Sequence, residues 1–259
     1  MGYGDDIMAT GLARGFNERG KLAAFGDGRK IIWGPWSAEM FANNPNIALP
    51  GSEQRTDIEW VAHYKGGRAY NKQVNGKWVW NLDFKAVPGE FFFSQSENLL
   101  IESNRLTADY VVIEPNVPWQ KSVAPNKDWG EENYKALADK LRMSGIRLLQ
   151  FKHKNSRRIL SNADLVDMGN FRQAITLLSK QLLYVGPEGG LHHAAAAVGV
   201  KAVVLFGGFI PPQVTGYDSH INLTGGATAC GNIQPCQHCR TAMKNISVEE
   251  VYQSVIRCL

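Results

Sequence analysis

Residues 184–197 read YVGPEGGLHHAAAA, an apolar run that closes on glycines and a lone glutamate before two histidines open an alanine-rich segment. In open α/β sheets, ligands bind outside the carboxyl ends of strands, where the unpaired N–H groups of a helix start attract anions. Gly189 and Gly190 let a ligand approach the backbone, and the helix behind them adds partial positive charge suited to phosphate. Glu188 would repel a phosphate and is better placed to accept hydrogen bonds from hydroxyls, as on a sugar. A glycine-rich turn with a solvated glutamate fits the same spacing. His192 and His193 point about 100° apart on a helix, so one is expected to face a ligand while the other packs or meets solvent. Two metal ligands on one helix favour i, i+4 spacing, and no metal is assigned to the pair.

Other residues have chemistry to offer. In SVAPNKDW, residues 122–129, Lys127 can neutralise a phosphate and Ser122 can donate a hydroxyl to one. Asp5 and Asp6 fall at the expected start of a helix, where acidic residues cap and complement the dipole. One of them could equally be a general base facing a cleft. Residues 61–82 contain no acid, while Lys65, Arg68, Lys72 and Lys77 interleave with Tyr64, Tyr70, Trp78 and Trp80. That mixture can stack on sugars or bases and contact nucleic acid. It can also be a hairpin whose tryptophans build core. Cys230, Cys236 and Cys239 cluster beside His238 with part of a zinc-site spacing. Four clean ligands are not evident, so no metal is assigned there either.

These residues need elements to position them. In the second half, strand-like runs at 108–115, 146–151, 181–185 and 201–206 alternate with helical patterns at 131–143, 171–180 and 191–198. That alternation implies a parallel sheet and a Rossmann-like α/β domain. The first half is more mixed. It predicts a helix over 6–16 and strands at 30–33 and 91–93, with Gly2–Asp6 as a strand-to-helix turn. A hairpin is expected around Asn75-Gly76, the best short signal for a type I′ turn. A boundary at 105/106 would give lobes 1–105 and 106–259 with a cleft between them. The chain has 259 residues, 28 basic and 24 acidic, for a net charge of +4. So mild an excess permits an anionic ligand without resembling a nucleic-acid tail. No apolar stretch reaches the roughly 18 residues of a membrane span, and the polar start carries no secretory signal. The expected compartment is the cytoplasm.

Four blocks in order resemble glycosyltransferase family 9, the ADP-heptose:lipopolysaccharide heptosyltransferase-like proteins. They are GYGDDIMATGLARG, SVAPNKDWGEENYKALADKL, YVGPEGGLHHAAAAVGVKAVVLFGG and CGNIQPCQHCRTAMKNISVEEV. The resemblance implies a GT-B-like architecture of two Rossmann-like lobes, here with a reduced N-terminal lobe. Acceptor would bind on the N-terminal side and a nucleotide-diphosphate sugar on the C-terminal side. It implies an inverting transferase that requires no cofactor or metal. Asp5 falls on the family's proposed base and Lys127 on its diphosphate contact, with Ser122 near a hydroxyl of similar task. Glu188 falls on an aspartate that binds the donor sugar, followed in the loop by Gly189 and Gly190, and His193 matches the family histidine. Glutamate at 188 and glycine at 189 depart from the usual aspartate and hydroxyl residue, which implies a different sugar pocket. The acceptor is expected to be a glycan such as a lipopolysaccharide core, or a hydroxylated base in phage-type DNA met by Lys72, Lys77, Trp78 and Trp80. Two other readings stand beside this one. They are a non-catalytic nucleotide-sugar-binding module, and a zinc-dependent nucleic-acid module built on the cysteines.

Overall fold

The computed structural model describes residues 2–103 and 107–259. The expected lobe boundary at 105/106 lies outside the described residues. The first helix, α1 (Tyr3–Asn17), starts earlier than the apolar spacing predicts. Gly2 is its N-cap, and Asp5 accepts the Gly2 N–H at 2.5 Å, which ties off an orphan donor and sets negative charge on the dipole's positive end. The expected strand-to-helix turn at 2–6 is therefore the first turn of the helix itself.

The first strand is β1 (Leu22–Gly26), not residues 30–33. Asp27 accepts the N–H groups of Arg29 and Lys30 and folds the chain back at Gly28, whose φ is +89°. Only Ile31 then bridges to Gly26. After the short α2 (Ser37–Met40), β2 (Ile58–Ala62) pairs parallel with β1. The hairpin forms as its turn signal predicts: β3 (Asn71–Val74) pairs antiparallel with β4 (Lys77–Trp80), with Asn75 and Gly76 both at positive φ. Residues 91–93 form no strand. Phe91 and Phe93 stack on each other, with the Arg172 guanidinium over both rings, so their aromatic character goes into side-chain packing rather than a ladder. The helix α3 (Gln95–Ser103) follows.

From Tyr110 onward the alternation holds. The elements are β5 (Tyr110–Ile113), α4 (Glu131–Met143), β6 (Arg147–Lys152), β7 (Asp164–Asp167), α5 (Phe171–Leu178), β8 (Leu183–Pro187), α6 (Gly190–Ala197), β9 (Lys201–Leu205), α7 (Pro212–Thr215), β10 (His220–Leu223), α8 (Gln237–Asn245) and α9 (Val248–Cys258). Six strands form one parallel sheet in the order β10-β9-β8-β5-β6-β7. The chain thus starts in the middle and winds outward in both directions, so β5 and β8 flank the switch point where such sheets bind ligands. The two edge strands, β7 and β10, are short and partly polar and give no sequence signal.

Alternate residues of β5 serve different layers, as the two-residue strand period requires. Val111 and Ile113 pack with Tyr134, Leu137 and Leu141 of α4 and with Val251 and Val255 of α9. Tyr110 and Val112 belong to a second core that runs through α5 and α6 and into the first half, reaching Ile7, Ala9, Phe25 and Phe41. Among the described residues no helix is long and apolar enough to cross a membrane.

Candidate active site

The helix α6 begins directly beyond the carboxyl end of β8, with Gly189 as its N-cap. Its first turn lies against the first turn of α1. A Cβ on Gly4 would come 2.6 Å from Cδ2 of His193, and one on Gly190 would come 2.8 Å from Phe171 Cζ and 3.3 Å from Tyr3 Cβ. Glycine at both positions is what lets the two helix starts meet, and it brings the surroundings of Asp5 and Glu188 together. Gly189 differs: a Cβ there meets nothing within 4 Å. Gly189→Ser should therefore leave stability within about 0.5 kcal/mol, whereas Gly190→Ala should cost about 1–3 kcal/mol by overpacking. Urea unfolding of the two variants checks this, and equal costs would mean that the start of α6 does not pack on Phe171 and Tyr3 as described.

Glu188 is buried, with its N–H on Leu205 O at 3.1 Å, and forms a short ion pair with Lys127. The same ammonium lies 3.4 Å from the Glu188 carbonyl and over the Phe209 ring. His193 Nε2 is 3.5 Å from Glu188, and its Nδ1 meets the Tyr217 hydroxyl at 2.8 Å. Burial alone would raise the Glu188 carboxyl, but the Lys127 charge and the histidine outweigh it and hold it well below the usual range.

The histidines do not diverge as their spacing suggests. Both are buried, with ring centroids 4.3 Å apart, and one ligand atom from each lies within 4.8 Å of the other and of Glu188. Both rings meet Tyr217, and His192 also packs against Phe206 and His220. Burial and the neighbouring histidine push the His192 imidazole well below its ordinary value, so it is neutral and a packing residue. The Lys127 ammonium on Glu188 argues against a cation in this cluster.

Asp5 and Asp6 part company within one turn. Asp6 is fully buried and bonds His63 Nε2 at 2.9 Å and the Ser37 hydroxyl at 3.0 Å, which anchors α1 to the residue that follows β2 and to α2. Asp5 accepts a short hydrogen bond from the Tyr70 hydroxyl and lies 3.5 Å from the Arg68 guanidinium. Burial would raise its carboxyl, but Arg68 and then Tyr70 overrule it and hold it below the usual range. Lys121 completes the group: a Cβ on Gly2 would lie 2.9 Å from Lys121 Nζ and 4.0 Å from Asp5 Oδ2. Desolvation and the charges of Lys127 and Arg68 lower this ammonium, against the opposing pull of Asp5 and Glu188. Three cations, Arg68, Lys121 and Lys127, thus surround two carboxylates, which leaves a net positive site.

Sequence reasoning named Lys127 and Glu188 but not Lys121, and it placed the hairpin's contribution on other residues. Lys72 and Lys77 are exposed and share the outer face with Val74 and Val79, while Trp78 and Trp80 turn inward and pack against the core. The four do not form one surface. Arg68 and Tyr70, just before the hairpin, are what reach the site, with Arg68 also stacked on Trp78 at 5.1 Å. The absence of acids from residues 61–82 was the available signal. Ser122 donates its hydroxyl to Ile233 O at 2.7 Å. Glu114, at the end of β5, is buried and pushed up to about 7 by that burial.

A parallel sheet wound outward from its middle, with a charged cluster at the mouth of its central strands, defines a Rossmann-like α/β protein. Residues 68–247 match the family model of glycosyltransferase family 9 (heptosyltransferase), well over half of the chain, and the chain belongs to that family. A comparison with curated protein sequences gives no match. Among solved structures, the chain is similar to Escherichia coli ADP-heptose lipopolysaccharide heptosyltransferase II, with a TM-score of 0.47 and 17% identity over 65% of this chain and 53% of that one. A family 9 glycosyl transferase from Veillonella parvula DSM 2008 gives 0.49 and 18% over 65% and 53%. Escherichia coli heptosyltransferase WaaC with ADP gives 0.45 and 17% over 62% and 48%. The chain spans about half the length of the solved structures it matches.

Proposed function

We propose that the chain is an inverting glycosyltransferase that moves a sugar from a nucleotide-diphosphate sugar to a hydroxyl acceptor. The observation that carries the reading is the meeting of the α1 and α6 starts, which sets Asp5 on one side of a cationic site and Glu188 on the other. Residues 1–105 then form the acceptor side and residues 106–259 the donor side. Asp5 takes the proton of the acceptor hydroxyl, whose oxygen attacks the anomeric carbon from the face opposite the diphosphate. The bond from that carbon to the diphosphate breaks, and the nucleoside diphosphate leaves. Lys127, Lys121 and the N–H groups at the start of α6, beyond Gly189 and Gly190, stabilise the departing charge without a metal or cofactor. Glu188 meets donor hydroxyls, with His193 holding its carboxylate. Ser122 contributes by fixing the loop that carries Lys127.

The first acceptor class to test is a glycan, because the outward Lys72 and Lys77 are separated from the inward Trp78 and Trp80 and offer no stacking platform for a base. The experiment is a panel of nucleoside diphosphates and their sugars, read by thermal shift and by transfer to glycan and hydroxylated-DNA acceptors. Stabilisation by one diphosphate sugar with transfer by the wild type supports the proposal. Donor binding with no transfer or hydrolysis to any acceptor would instead leave a nucleotide-sugar-binding module.

A further inference from the structure

Cys230, Cys236 and Cys239 are free thiols whose sulfur atoms all lie within 4.8 Å of one another. Cys230 Sγ is 3.8 Å from that of Cys236 and 3.3 Å from that of Cys239. A tetrahedral ion with metal–sulfur bonds of about 2.3 Å holds its sulfurs about 3.8 Å apart. We propose that these three cysteines are the seat of a thiophilic divalent cation of the zinc class. The residues contribute in distinct ways. Cys236 is the N-cap of α8, where the helix's positive end favours a thiolate, and Cys239 lies one turn on. Cys230 comes from the preceding loop, and its sulfur accepts the Asn232 N–H at 3.5 Å, the kind of outer hydrogen bond that steadies a thiolate ligand. Cys239 is buried while Cys230 and Cys236 are partly exposed, so solvent reaches the cluster from their side and a water can supply the fourth donor. His238 bonds Thr228 O at 2.7 Å through Nε2 and is not needed. On binding, three S–H protons pass to solvent and three metal–sulfur bonds form, with no redox step.

The loop between these ligands is fastened on every side. Cys230 N–H donates to Gly208 O at 2.9 Å, Gly231 N–H to Phe209 O at 3.1 Å, and Trp78 N–H to Gly231 O at 2.8 Å. The fully buried Asn126 donates to Asn232 O and Gln234 O, both at 2.9 Å, and accepts the Cys236 N–H at 2.9 Å. The cluster is thus the knot that joins the β3–β4 hairpin to the loop carrying Ser122 and Lys127. A bound ion would hold that loop in place.

The test is metal analysis of the purified, desalted chain, followed by zinc and cobalt titration of chelator-treated protein. About one ion per chain is expected, with thiolate-to-cobalt charge-transfer absorption. Cys239→Ser and Cys230→Ser should drop the stoichiometry at least tenfold, while Cys258→Ser, outside the cluster, should keep it. Native thiol alkylation of the wild type guards against misfolded variants: Cys230 and Cys236 should become at least tenfold more reactive after chelation. Metal-free protein that takes up no ion would overturn the proposal, as would a disulfide between any two of the three or alkylation indifferent to chelator. None of these readouts depends on the glycosyltransferase reading.

Discussion

Lys127→Met should cost about 3–5 kcal/mol of unfolding free energy at pH 7.5, the size expected when a buried pair loses one partner. The side chains of Lys127 and Glu188 are only 11% and 5% exposed, so solvent screening offers little relief. Without the ammonium, Glu188 keeps a negative charge among buried histidines and tyrosine, and its carboxyl must rise. In the wild type the sign is the opposite. Its carboxyl is depressed, so the stabilisation is present above the ordinary glutamate range and is lost only as pH falls through the lowered value. The variant should therefore lose least at acid pH, where Glu188 takes up a proton, and most at alkaline pH. Glu188→Gln in the same chain should recover most of the loss, because it removes the stranded charge. Urea unfolding of the single and double variants from pH 5 to pH 8 measures all three effects. A Lys127→Met penalty that is independent of pH and not recovered by Glu188→Gln would show that the pair is not the buried, charged couple described. Thermal shift by the donor should vanish in both variants if Lys127 is the diphosphate contact, since Glu188→Gln restores stability but no positive charge.

The parts that sequence made legible share a physical cause. α4 and the β3–β4 hairpin were readable because local signals fix them: apolar positions at helical spacing closed by Ser144-Gly145, and an Asn-Gly pair that tolerates positive φ. Lys127, Glu188 and His193 lie together beyond the strand ends, but spacing left each of them open and only the family resemblance singled them out. The failures were non-local. Residues 30–33 have better β-formers than the Leu-Ala-Ala-Phe-Gly of β1, but β1 has a parallel partner and 30–33 do not. The histidines split in role as expected, but their rings lie closer than spacing suggests because both meet Tyr217, 24 residues beyond His193. Arg68 and Tyr70 were noticed as composition, not as neighbours of an aspartate more than sixty residues away, since no local pattern reports that contact. Lys121 carries no local signal and is recognisable only once α1 packs beside it.

Asp5→Asn should lower kcat by roughly 10²–10⁴ while leaving donor affinity within a factor of two, the range associated with loss of a general base. The stronger expectation concerns pH. A base is competent only when ionised, and Arg68 with Tyr70 holds the Asp5 carboxyl below the usual range. In the proposed reaction the wild type should thus keep its activity down to the acid edge of its folding, with no Asp5 limb at ordinary carboxylate values. Arg68→Gln takes away the largest lowering charge, so the remaining burial should lift Asp5 and move the acid limb of kcat/KM upward. Tyr70→Phe should do the same to a lesser degree, since it removes a hydrogen bond rather than a charge. The stacking of Arg68 on Trp78 means Arg68→Gln also loses packing, and a fall in activity alone would not separate the two causes. The profile does: lost packing scales the whole curve, whereas lost charge shifts its acid limb. An Arg68→Gln enzyme reduced by the same factor at every pH would remove Arg68 from the tuning of Asp5. In the proposed division Arg68 and Tyr70 belong to the acceptor side, so the base would be set by the same segment that the acceptor must approach. Acceptor binding that draws Arg68 or Tyr70 away would raise the basicity of Asp5 at the moment a hydroxyl is present to deprotonate.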